Sequence, residues 1–349
     1  MFTFFIKSIF NGAIVLALVV LFITCIIYSA PVDPTRLTFG QRMDEETVLL
    51  KKKELGLDQP LQKQILLYLS DISPITILSN ERWANLPFIG FKVFSRRNRS
   101  LVLKLPYLRE SFQNGRSVTR SLLRALPSTL ILATLSILIA ALLGLVFGVL
   151  ASVLRDTVWD DLIIAVSTLG YSVPSYVSAI FFALIFGYYL KDITGLNIQG
   201  SLLELDDFGG QRVTWKNIIL PCLALSIRPV AVITQLMRSA MNDISQMPFV
   251  LALRAKGISE FRLLVKHVAR NALNPVATSL SGWFASLLAG AFFVEYVFSY
   301  KGLGFLTINA LLNFDIPMVL GAILLSSTFF ILINIFIDVV YRYLDPRIG

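Results

Sequence analysis

Five long uncharged runs dominate the chain: residues 8–32, 125–154, 162–190, 271–294 and 316–337. Each exceeds the roughly 20 residues that an α-helix needs to cross hydrocarbon. A sixth candidate, 217–237, has similar apolar character but is interrupted by Arg228. The pattern predicts an all-α membrane protein of six transmembrane helices. A long polar segment separates the first two spans, and a basic loop separates the fourth from the fifth.

That loop, Leu251 to Pro275, has a pattern of its own. Pro248 suits the first position of a helix, where its missing N–H needs no partner. Gly257 is suited to the left-handed conformation that ends this helix, and Ser259 to capping the next. Phe261, Leu264, Val265 and Val268 then fall at i, i+3, i+4 and i+7, one face of a regular helix, with Arg262, Lys266 and Arg270 away from that stripe. An element so charged cannot cross lipid, and its apolar side needs a surface to cover it. The plain alternative is a loop helix lying on lipid headgroups.

Composition agrees with the spans: 56% of residues are hydrophobic and 15% charged, with a mean hydropathy of +0.72, far from a soluble domain. The first run, preceded by Lys7 and ended by Ser29 and Ala30, resembles a secretory signal, but its uncharged length exceeds the usual signal core. Both cysteines, Cys25 and Cys222, lie within expected spans and read as small buried hydrophobes. Orientation follows from the short loops, because long segments translocate largely regardless of charge. The 238–270 loop is rich in Arg and Lys, and the tail carries Arg342 and Arg347 against Asp345. The loop 191–216 is acidic on balance. Both termini and the basic loop are therefore expected in the cytoplasm, and residues 31–125 outside, although that segment holds 16 of the 31 Lys and Arg residues. The link 155–161, with Arg155 against Asp156, Asp160 and Asp161, opposes this assignment weakly.

In the external segment, Asp44 to Leu57 reads as a short helix, and Pro60 starts a second stretch with Leu61, Ile65 and Leu69 at i+4 steps. Ser95 to Lys104 is a basic cluster, read as a solvated or headgroup-facing surface rather than a nucleic-acid site. Chemistry is thin. The single histidine, His267, excludes a histidine metal cluster and the usual Ser/His/Asp set. No phosphate-loop motif occurs, and Gly302-Leu303-Gly304 is too short for a nucleotide fingerprint. No cofactor is expected, and transport driven by another subunit fits better than catalysis in this chain.

The ordered motifs resemble the permease subunit of an ATP-binding-cassette importer in the dipeptide/oligopeptide and nickel branch. Pro31-Val32-Asp33-Pro34, then Glu54-Leu55-Gly56-Leu57-Asp58-Gln59-Pro60, are similar to that branch's early signatures, and Gly170-Tyr171-Ser172-Val173-Pro174 to its third-span motif. Arg254-Ala255-Lys256-Gly257, followed by His267, Arg270, Asn271, Ala272 and Pro275, resembles its ATPase-coupling loop. Leu288-Ala289-Gly290-Ala291 with Glu295, Gly302-Leu303-Gly304, and Asp338, Tyr341 and Asp345-Pro346-Arg347 complete the likeness. The resemblance implies docking onto a cytoplasmic ATP-binding subunit through Phe249, Ala252, Arg254, Ala255, Lys256, Gly257, Phe261, His267, Arg270 and Asn271. It further implies a second related permease and an extracytoplasmic substrate-binding protein as partners, in a bacterial inner membrane, with no nucleic acid. One departure matters. The general importer pattern opens Glu-Ala-Ala, whereas this chain has Leu251, Ala252 and Leu253, so no salt bridge carries over from that position. Residues 70–106 also exceed the branch's usual length.

Three residues are candidates for the substrate pathway or its gate. Arg228 lies inside the fourth span, where a charge costs about 3 kcal/mol unless paired or hydrated. It reads either as a cation lining the path, meeting a peptide carboxylate, or as a helix-end arginine reaching the surface. Glu295 reads first as a structural pairing, and Pro174 as a kink or a packing irregularity. Three regions follow: a first transmembrane helix over 1–30, an extracytoplasmic segment over 31–118, and a permease core over 119–349 with the coupling loop at 238–275. The rival readings are an ion-coupled secondary transporter, a membrane scaffold, and a permease of the same branch for nickel or oligosaccharides.

Overall fold

A computed structural model describes residues 2–29, 58–85, 88–96, 98–205 and 211–344. The helix expected over Asp44 to Leu57 and the closing Asp345-Pro346-Arg347 lie outside the described residues. The chain divides into two compact units, residues 1–125 with 306–329, and residues 126–305 with 330–349.

In the first unit, helix α1 covers Phe2–Ser29 and α2 covers Leu61–Ile72, with Pro60 at the N-cap position of α2. The all-α expectation needs a correction here. Strands β1 (Ile75–Ser79), β2 (Gly90–Arg96) and β3 (Arg99–Lys104) form an antiparallel sheet in the order β1-β3-β2, with a short helix α3 (Asn80–Asn85) after β1. The signal was alternation in runs too short for a helix: Ile75 and Ile77 share one face, and Val102 lies between Leu101 and Leu103 on the opposite one. One face, with Leu78, Ser100, Val102 and Lys104, is buried, while Ile75, Ile77, Phe91 and Leu103 on the other stay exposed. The basic cluster is therefore split, with Arg99 exposed and Lys104 buried.

Asp71, at the end of α2, organises this unit. Its buried carboxylate takes Arg82 Nη2 at 2.8 Å and Arg109 Nε at 2.9 Å, and its backbone carbonyl accepts from Lys104 Nζ and from the Tyr107 N–H. Lys104 also sits 4.8 Å from the Phe88 ring centroid. Burial lowers the Lys104 pKa against the opposing pull of Asp71. Asp71→Asn leaves two guanidinium groups without their counter-ion, at a cost of about 3 kcal/mol. Thermal unfolding of the detergent-solubilised protein should show a clear fall in midpoint. An unchanged midpoint would mean that the cluster is solvated rather than structural.

Helix α4 (Val118–Val153) begins in the first unit and continues into the second. There follow α5 (Val158–Ser172), α6 (Ser175–Phe182) with a π-helical extension over Ala183–Tyr189, and the one-turn α7 (Lys191–Thr194). A two-stranded antiparallel pair, β4 (Leu203–Leu205) and β5 (Gln211–Val213), leads to α8 (Lys216–Ser245). After α9 (Pro248–Ala255), a helix runs from Glu260 to Val297 as α10 (Glu260–Arg262), a π segment (Leu263–Val268) and α11 (Ala269–Val297). Helices α12 (Leu303–Leu312) and α13 (Ile316–Leu344) close the chain.

Among the described residues, α4, α8 and Ile316–Ile337 of α13 are long and apolar enough to cross a membrane, and α5 with Ser175–Tyr189 passes as a pair bent by 106°. Helices α1 and α11, of 28 and 29 residues, would span roughly 40 Å. Helix α4 lies close against α8 because Gly144 and Gly148 present no side chain there. A Cβ on either would come within 2.7 Å of Ile233 or 2.5 Å of Met237.

Candidate functional site

The coupling-loop residues form a turn anchored on one side and bare on the other. Pro248 stands at the start of α9, as its ring geometry favours, and Gly257 takes φ +77° between α9 and α10. Ser259 occupies the N-cap position in extended conformation, but its side chain makes no capping bond; its carbonyl accepts the Leu263 N–H at 2.9 Å. The expected stripe also changes. Leu263, Leu264 and Val268 are buried, whereas Phe261 is 68% and Val265 41% exposed. A regular 3.6-residue period put Phe261 and Val265 on the buried face. The wider π turn shifts the register and leaves them outward.

The buried residues join Val250 in one cluster with Ile233, Met237, Met241 and Ile244 of α8. The bare side shows Phe249, Leu251, Phe261 and Val265, flanked by the exposed Arg254, Lys256, Arg262, Lys266 and Arg270. Ala252, Ala255 and Asn271 are exposed too, and His267 is half-buried, its carbonyl accepting from Asn271 Nδ2 at 2.8 Å. Arg254 is engaged within the loop, donating from Nε to Glu260 Oε2 at 3.1 Å and from Nη2 to Oε1. That hydrogen bond lowers the Glu260 pKa below the ordinary carboxylate range, so the pair persists at neutral pH and is lost only in acid, as the carboxylate protonates.

The three pathway candidates land in different settings. Pro174 does more than kink a helix. Val173 is held extended before it, as sterics demand, and the chain turns through 106° between α5 and α6. Glu295 is fully buried, and its carboxylate accepts from Thr129 Oγ1 at 2.7 Å, the Gly304 N–H at 2.7 Å and the Phe305 N–H at 3.1 Å. It thus satisfies the first N–H groups of α12. The glycines of Gly302-Leu303-Gly304 make room for it: a Cβ on Gly302 would lie 2.4 Å from Glu295 Oε2, and one on Gly304 2.2 Å from Phe292 Cα. All its oxygens are engaged internally, which is a structural arrangement.

Arg228 sits 12 residues after the start of α8 and 17 before its end, about 18 and 25 Å along the axis. Its side chain cannot reach either end. Its Cζ lies 5.4 Å from the Tyr171 ring centroid, and its Nε is buried without a hydrogen-bond partner. Sequence reasoning passed over Asp160 and Arg238. They form a bidentate pair, with both contacts at 2.6 Å and the Asp160 side chain 2% exposed, tying the start of α5 to α8. Among the described residues, no group of three His, Cys, Asp or Glu side chains is placed to hold a metal.

Residues 144–349 match the family described as binding-protein-dependent transport system inner membrane component, and residues 1–105 match its N-terminal membrane component. The chain belongs to this family. It is an ABC importer permease, a multi-pass inner-membrane component of such a system. It is 30% identical over 334 residues to the di/tripeptide transport system permease protein DppB of Pseudomonas aeruginosa, covering 91% of this chain and 90% of that protein. The glutathione transport system permease protein GsiC of Shigella flexneri is likewise 30% identical, with coverage of 96% and 94%. An inward-facing structure of the MetNI methionine ABC transporter shares the fold with a TM-score of 0.50 at 18% identity, over 64% of this chain and 96% of that one. These relatives place the permease in the branch named for peptide transport.

Replacing Glu295 with Ala strands two buried donors, Thr129 Oγ1 and the Gly304 N–H, at a cost of about 1–3 kcal/mol each, and frees the part-buried Phe305 N–H. Gly304→Ala should lower the unfolding midpoint of the detergent-solubilised permease comparably, whereas Gly282→Ala, where the added Cβ meets nothing within 4 Å, should leave it unchanged. Equal midpoints for Gly304→Ala and Gly282→Ala would contradict the geometry described for Glu295.

Proposed function

We propose that this permease forms half of a pathway carrying short peptides inward, with ATP hydrolysed on separate cytoplasmic subunits. A second, related permease completes the pathway, and an extracytoplasmic binding protein delivers the solute. The relatives named for di/tripeptides and for glutathione support peptides over nickel or oligosaccharides. A secondary transporter is disfavoured, because residues 144–349 and 1–105 match binding-protein-dependent transport families.

In this reading the chain crosses the membrane six times, through α1, α4, the broken pair α5–α6, α8, α11 and α13. Both termini lie in the cytoplasm. Residues 1–30 form the first span and 31–118 the extracytoplasmic segment. The core covers 119–349, with the coupling loop at 238–275. The observation that carries the proposal is the bare face of that loop. Phe249, Leu251, Phe261 and Val265 stay exposed although their neighbours are packed into a core, which is the mark of a docking surface. A groove on the ATP-binding subunit receives them, with Lys256, Arg262, Lys266 and Arg270 meeting acidic groups at its rim.

Gly257→Val tests this. A β-branched residue at φ +77° costs on the order of 1–3 kcal/mol of backbone strain, although its Cβ would meet no neighbour. Co-purification of the ATP-binding subunit and solute-stimulated ATP hydrolysis should both be lost, while Gly257→Asn, tolerant of left-handed backbone, should retain them. Full uptake and complex formation by Gly257→Val would sink the docking assignment.

A further inference from the structure

Three polar contacts run in order along the crossing of α5 and α8. Asp160 pairs with Arg238 at one end, Gln235 Nε2 donates to Thr168 Oγ1 at 3.3 Å, and Arg228 lies over Tyr171 at the other. The first is neutral and closed, and the second is satisfied. The third is incomplete: among the described residues Arg228 has no ion pair and no hydrogen bond, and its Nε is buried. It stands in mid-helix, next to Pro229, and Tyr171 directly precedes the Ser172–Ser175 break. A mid-membrane guanidinium stacked on a half-exposed tyrosine, with its donors unspent, matches the chemistry of an anion seat. Its planar fork suits a carboxylate best.

We infer that Arg228, held by Tyr171, is a transient binding station for the free carboxylate of the transported solute. This rests on the importer reading and adds the group that is recognised. The station lies where α5 breaks at Val173–Pro174, so the carboxylate is bound beside the segment able to change direction. The Asp160–Arg238 pair cannot serve in its place, because its arginine is already satisfied on both nitrogens that face the acid.

The test uses the whole complex in proteoliposomes with its binding protein, and tri-alanine and tri-alanine amide as probes. Wild type should take up the free acid about tenfold faster than the amide. Arg228→Gln should lower free-acid uptake to the amide rate, and Arg228→Lys should recover part of the preference. Assembly of each variant is checked by co-purification. Unchanged preference in Arg228→Gln overturns the station. So does loss of the second permease from the Arg228→Gln complex with equal loss for both probes, since that result assigns Arg228 to a subunit contact. If wild type takes up neither probe, the peptide reading alone fails. The station is then decided by Arg228→Cys in a background lacking Cys25 and Cys222. Modification by an anionic sulfonate thiol reagent supports it, and a thiol that stays unmodified overturns it.

Discussion

Hydrocarbon offers no hydrogen-bond partner, so each polar group between the ends of a span must be answered from within the protein or face an aqueous path. Glu295 is answered by Thr129 and by the opening N–H groups of α12. Asp160 is answered by Arg238. The break before Pro174 is tolerated because Val173 N–H still reaches Leu169 and Pro174 O accepts from Val177 and Ser178. Among the described residues, Arg228 has a tyrosine face and no acceptor for its buried Nε. That unanswered guanidinium is the group the proposed carboxylate station completes.

The coupling loop obeys a related constraint on its own side. Val250, Leu263, Leu264 and Val268 share one packed cluster with Met237, Met241 and Ile244 of α8. Packed interiors are stiff, so a displacement of the loop is delivered to α8 rather than absorbed by the turn. Arg238 and Arg228 both stand on that helix, one locked to α5 and one beside the break in the same span. In the proposed docking, a push on the loop has a short, packed route through α8 to the polar ladder. In that proposal, alternating access is a change in how α5 and α8 cross, biased by the partner's state.

Much of this was legible in the residues, and the failures have physical causes. The long uncharged runs located the helices, and Pro248 and Gly257 located the loop's turn, because both signals are local. The outward face of Phe261 and Val265 was not legible, since a π segment changes the period on which stripe-reading depends. The sheet of β1 to β3 was missed where charge drew attention from alternation: Lys104 reads as surface basicity until it is seen buried against Asp71. Asp160 and Arg238 are 78 positions apart, and no spacing rule joins them. The setting of Arg228 needed both helix ends to be placed before mid-membrane could be told from interface.

The central claim is that the bare face of the loop, and not its anchored face, meets the ATP-binding subunit. Single-cysteine variants Phe261→Cys and Asp243→Cys, made without Cys25 and Cys222, allow a direct measurement of thiol labelling with and without that subunit. Both positions are exposed in the permease alone. The account predicts that the subunit protects Phe261→Cys strongly and brings it within reach of short cross-linkers, while Asp243→Cys labels as before. Equal labelling of Phe261→Cys in the free and assembled permease would contradict it.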